Sequence, residues 1–188
     1  MSANSFLIGS FIILFVLFFS CNNITNKHEE TEKVVTEWIG KTIQFPNNMV
    51  FLEFGRDTVS ACFSKTPYKI LLYSDSIGCT SCKLKLLEWQ SLIQESDTTL
   101  NGKLSFIFCF YPKNRKELQL LLIQNRFNYP VFVDMYDELN NMNRLPQKSA
   151  YQCFLLDQWN KVISIGNPVL NTQVWELYKQ IIIKPITN

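Results

Sequence analysis

Two cysteines three residues apart, Cys79 and Cys82, are the side chains of this 188-residue sequence best suited to chemistry. They lie in Ser74-Asp75-Ser76-Ile77-Gly78-Cys79-Thr80-Ser81-Cys82-Lys83. On one turn of helix their sulfurs can approach within disulfide range. The nucleophile of thiol chemistry is the thiolate, and the unpaired N–H groups and dipole of a helix N-terminus favour that ion. A lowered pKa makes Cys79 both a nucleophile and a good leaving group, with Cys82 as the resolving thiol one turn further on. Other readings of the pair are a structural disulfide or half of a zinc site. Zinc needs two more ligands, and Cys62, Cys109, Cys153 and His28 are scattered singly. No metal or other cofactor is expected.

Those cysteines must be positioned by the elements around them. Lys69 to Tyr73 (KILLY) is a buried-type strand just upstream. Leu84, Leu87, Leu92 and Ile93 give Thr80 to Gln94 a helical stripe, so the pair should open a helix that follows a strand. Further on come a strand at Leu104–Tyr111, a helix at Lys116–Phe127, a short strand at Val131–Val133 and a short helix at Tyr136–Asn143. Strands at Tyr151–Leu156 and Lys161–Ile165 follow, joined through Asp157-Gln158-Trp159-Asn160, and then a helix at Thr172–Ile183. Upstream, Val34, Val35, Trp38, Ile39 and Ile43 form one stripe on a helix over His28–Ile43. Val50–Phe54 and Thr58–Phe63 read as a hairpin around Gly55-Arg56-Asp57. Such alternation builds an α/β domain: a central mixed sheet flanked by helices, with an N-terminal helix and β-hairpin extension.

Residues 1–20 carry no charged side chain, and twelve of the fourteen residues from Phe6 to Phe19 are apolar. That run is short for a spanning helix and has the length of a signal-peptide core. Phe18-Phe19-Ser20-Cys21 resembles a bacterial lipobox, in which the cysteine is freed and acylated. Several acyl chains anchor a protein stably. An uncleaved anchor or an ordinary signal are the alternatives, and each places the remainder outside the cytoplasm. The expected organisation is therefore a signal at 1–20, a lipidated tether at 21–27, the extension at 28–66 and the main domain at 67–188.

From residue 68 to about 183 the chain resembles a thioredoxin fold. As a whole it resembles the TlpA type of membrane-anchored thiol–disulfide oxidoreductase. Beyond the C-x-x-C, Asn128-Tyr129-Pro130-Val131-Phe132-Val133-Asp134 is similar to that family's phenylalanine-proline-strand-aspartate segment. Phe154-Leu155-Leu156-Asp157 with Lys161-Val162-Ile163 is similar to its late hairpin. The resemblance implies that Cys79 attacks and Cys82 resolves. It also implies protein thiols or disulfides of a Gram-negative cell envelope as partners, an electron donor still to be identified, and a membrane anchor. A binding module with a stable Cys79–Cys82 disulfide is the alternative.

The sequence departs from the family at three places. The family's cis-proline position, facing the dithiol, is Tyr151 here, after Ala150, and a cis bond without proline costs roughly 3 kcal/mol. That loop is therefore expected to be trans or rearranged. Gly78 replaces an aromatic residue before the first cysteine. Tyr73 stands where thioredoxins proper carry a buried acid. Cys153 is either a core thiol or a third redox cysteine. Ser76 lies three before Cys79, as a peroxidase would want of a threonine, but Leu72 stands where the proline is wanted, which speaks against a peroxidase reading. A copper-chaperone reading lacks its later histidine. A net charge of +2, from 18 basic and 16 acidic side chains, leaves no excess for nucleic acid.

Overall fold

A computed structural model describes residues 28–53, 56–58, 66–75 and 84–184. The chain divides into two compact units, Met1–Glu37 and Trp38–Asn188. In the first, residues 28–37 are helical. The expected helix to Ile43 stops at Trp38 instead. Gly40 adopts φ +86°, and Gly40 N and Ile43 N donate to Val162 O and Asn160 O, both at 2.9 Å. Those pairings take up backbone groups that a longer helix would have used.

Among the described residues the second unit holds seven strands: β1 (Phe51–Glu53), β2 (Arg56–Thr58), β3 (Tyr68–Ser74), β4 (Leu104–Phe110), β5 (Val131–Val133), β6 (Cys153–Asp157) and β7 (Val162–Ile165). Its helices are α1 (Leu86–Thr99), α2 (Arg115–Gln124), α3 (Glu138–Asn143) and α4 (Thr172–Ile183), with a 3₁₀ turn at Ser149–Tyr151. One sheet forms in the order β2-β1-β5-β4-β3-β6-β7. β3, β4 and β5 are parallel, while β6 runs against β3 and β7 against β6. The sheet is mixed, as expected, and the hairpin joins it by pairing Phe51 with Phe132 and Leu52 with Val131. Arg56 and Asp57 were expected in the hairpin turn but pair as strand, opposite Glu53 and Leu52. Most of the second expected strand, to Phe63, lies outside the described residues.

β3 and β4 read as continuous apolar runs because the central strands are buried on both faces. On one face Ile70, Leu72, Phe106, Phe108 and Leu155 pack beneath Trp89 of α1, Leu118 and Leu122 of α2, and Trp175 and Tyr178 of α4. Phe108 is the centre of an aromatic cluster, with Trp89, Phe127 and Tyr129 edge-on at 5.4, 5.2 and 5.7 Å. On the other face, Phe154 tilts against Trp38 at 5.2 Å. Asn114 caps α2 by accepting from Lys116 N and Glu117 N, and Asn171 caps α4 through Gln173 N.

Candidate functional site

The sheet's carboxyl edge is where β3 delivers the chain towards the cysteines. Its exit is pinned on both sides: Tyr73 N donates to Gln152 O, and Tyr111 N donates to Ser74 O, each at 2.9 Å. Cys79 and Cys82, with the rest of residues 76–83, lie outside the described residues, as do Cys21 and Cys62. Beyond them the chain returns at Leu84.

The expected continuous helix over Thr80–Gln94 is broken at Lys85, which takes φ 53° and ψ 43°, and α1 starts at Leu86. Packing explains the break. Leu84 and Leu86 are both buried, at 2% and 3% exposure. Residues two apart point to nearly opposite sides of a helix. A left-handed residue between them turns both inward, although a non-glycine residue held in that conformation costs roughly 1–2 kcal/mol. Lys85 is itself solvated and pairs with Glu88 at 3.3 Å.

Across from the β3 exit, the Ala150-Tyr151 loop contains no cis peptide. It curls into the 3₁₀ turn, with Tyr151 N donating to Lys148 O at 2.9 Å and Gln152 N to Ser149 O at 3.2 Å. The strand expected from Tyr151 consequently begins at Cys153. Ala150 is exposed and Tyr151 half-buried. Next to them Gln152 is buried, and its Nε2 donates to Pro146 O at 2.8 Å. Its Oε1 is buried without a partner among the described residues. Nothing in the local pattern signals this acceptor beyond its place between Tyr151 and Cys153.

Tyr73 is 2% exposed and donates from Oη to Asp137 Oδ1 at 2.5 Å. Asp137 Oδ2 accepts from Asn140 Nδ2 at 2.9 Å, and Asn140 Oδ1 accepts from Leu145 N at 3.0 Å. Burial, and then the bond to Asp137, push the Tyr73 phenol far above its ordinary range. A carboxylate is thus brought to the residue six before Cys79 by the β5–α3 loop, rather than by β3 itself. Asp134, at the start of the same loop, is 2% exposed and accepts from Glu138 N and Leu139 N, both at 2.9 Å. The aspartate of the 128–134 segment therefore holds the start of α3.

Cys153 pairs with Leu72 and belongs to the buried cluster that includes Trp89, Trp175 and Tyr178. It has no solvent exposure, and burial pushes its thiol far up, so it stays a neutral thiol. Its surroundings are those of a core residue. Cys109, also fully buried, pairs with Tyr73 in β4. Successive residues of β3 point to opposite faces, so the two thiols flank its end from opposite sides of the sheet. Trp38 and Trp175 are core residues, while Trp159 is 71% exposed.

Among solved structures, AhpC of Enterococcus faecalis is similar with a TM-score of 0.54 at 12% identity, covering 80% of this chain and 96% of that one. A thioredoxin-like protein of Porphyromonas gingivalis reaches 0.52 at 13%, covering 78% and 97%. A cysteine-to-serine mutant of PrxQ from Xylella fastidiosa reaches 0.51 at 14%, covering 76% and 94%. The fold is thioredoxin-like. No protein-family model matches the chain, and no curated protein matches it.

Proposed function

We propose that this domain exchanges thiols and disulfides with envelope proteins through Cys79 and Cys82, held at a Gram-negative membrane by an acylated Cys21. The observation that carries the reading is the position of the C-x-x-C in the chain. It joins the carboxyl end of a central parallel strand, β3, to the segment that leads into α1. Open α/β sheets bind ligands outside the carboxyl ends of their strands. In the reductive direction the Cys79 thiolate attacks one sulfur of a client disulfide and expels the other client sulfur as a thiolate. The Cys82 thiolate then attacks Cys79, forms the Cys79–Cys82 disulfide and releases the second client thiol. Two electrons pass from the dithiol to the client, and a separate donor must return them.

Cys82→Ser tests this directly, because the mixed disulfide then has no resolving thiol. Clients should accumulate covalently on Cys79 and be identified by mass spectrometry, and their absence under oxidising conditions refutes the exchange. Cys21→Ala should release the chain from membranes if acylation anchors it. One feature favours a second reading, a binding module with an inert disulfide: the Ser149–Tyr151 turn stands where the family places its cis-proline. The potential of the cysteine pair separates the two.

A further inference from the structure

We infer that the end of the domain opposite the β3 exit, around Trp159, is a docking surface for an anionic lipid bilayer. β3, β4, β5 and β7 run the same way, so their amino ends and the β6–β7 turn form the end remote from the β3 exit. The turn holds Trp159 out in solvent and is braced from several sides. Asn160 N donates to Asp157 O at 3.1 Å, and Asp157 Oδ1 accepts from Trp159 N at 2.8 Å and Lys161 N at 2.9 Å. From beneath, buried Lys69 donates through Nζ to Gln158 O at 3.0 Å and Asn160 Oδ1 at 2.7 Å. An exposed indole on a fixed turn has little conformational freedom to lose on contact.

Basic and aliphatic groups share this end of the domain. Lys41 and Lys161 are exposed beside the Thr42–Lys161 bridge, and Lys103 precedes β4. Lys184 lines one groove with Thr99 at the end of α1, next to Ile183, which is half-exposed, as Ile39 is. Of the described acidic groups near this end, Asp157 accepts the turn's own N–H groups, Glu53 and Asp97 line a groove on the β1–β5 side, and Glu176, which shares the Lys184 groove, is paired with Lys179 at 2.8 Å. An amphipathic indole among lysines suits the headgroup layer of an anionic bilayer, which attracts basic side chains. The occupant follows from chain order too. The chain enters the domain through residues 38–43, which are bonded to this turn, and the apolar Phe6–Phe19 run precedes that entry in the sequence. Docked here, the domain directs the β3 exit away from the membrane. The inference requires neither the redox activity nor acylation of Cys21.

The test uses the full chain in vesicles of brominated phosphatidylcholine, with or without phosphatidylglycerol. Tryptophan emission should be quenched in the anionic vesicles, and the difference from Trp159→Phe assigns that quenching to Trp159. Lys41→Glu with Lys161→Glu, or high salt, should reduce it severalfold while Trp159 remains. Equal quenching of wild type and Trp159→Phe overturns the inference. So does shielding of Trp159 from acrylamide without quenching by brominated lipid, because protein rather than lipid would then cover this end.

Discussion

Replacing Tyr73 by phenylalanine removes one hydrogen bond at the β3 exit and leaves the ring volume in place. The phenol is 2% exposed and lies 2.5 Å from Asp137 Oδ1. A hydrogen bond to a charged group is worth about 1.5–3 kcal/mol net. Asp137 is half-buried and keeps Asn140 as a second donor. Water can re-solvate the carboxylate, which places Tyr73→Phe near the lower end, at about 1.5 kcal/mol. Asp137→Asn retains an acceptor oxygen and suits the φ of 55° at that residue, since asparagine visits the left-handed region readily. It converts a charged hydrogen bond into a neutral one, so it should cost about 0.5–1 kcal/mol. Once the phenol is gone only the bond from Asn140 is left to weaken, so Asp137→Asn should cost less in the Tyr73→Phe background than alone, a sub-additive cycle. Urea unfolding reads this as a midpoint loss of about 0.7 M at an m of about 2 kcal/mol/M. A loss under about 0.5 kcal/mol for Tyr73→Phe, or additive effects in the cycle, refutes the reasoning.

Asp134→Ala leaves the N–H groups of Glu138 and Leu139 without their acceptor, the second of them buried, and should cost about 2 kcal/mol in the same assay, with Asp134→Asn losing about half of that. Lys85→Gly relieves the left-handed strain and should raise the melting temperature by a few degrees, for a gain of about 1 kcal/mol; a fall would refute the account of the α1 break. Burial raises the Cys153 thiol in the folded state. Its stabilisation is complete below the unfolded thiol pKa of about 8.5 and declines above it, by at most about 1.4 kcal/mol per pH unit. Stability measured from pH 8 to 10 should therefore fall less steeply in Cys153→Ala than in wild type, and parallel profiles would contradict the burial argument.

What the sequence made legible was whatever local pattern controls. β5 and α4 occur with the expected bounds, because Pro130 and Asn171 mark their starts and each apolar pattern is short and clean. The double-sided burial of β3 and β4 showed as unbroken apolar runs. The missed features depend on distant partners. Tyr73 finds Asp137 across 64 residues, and no local window contains both. The early end of the first helix reflects pairing of residues 40–43 with a turn near residue 160. The Lys85 break depends on two leucines competing for one core, which an averaged helical stripe conceals. The Ser149–Tyr151 turn replaces an expected strand start because Gln152 anchors back to Ser149 and Pro146. The C-x-x-C was legible from spacing alone, whereas Gln152, beside the β3 exit, had no motif to announce it.

The reduction potential of the Cys79–Cys82 pair, measured against glutathione with the Cys79 pKa from thiolate absorbance, tests thiol–disulfide exchange most directly. Exchange requires a potential within the range of working dithiol proteins, about −120 to −270 mV, and a Cys79 pKa clearly below about 8.5. A potential below about −300 mV together with an ordinary Cys79 pKa would make the pair a structural disulfide and contradict the account.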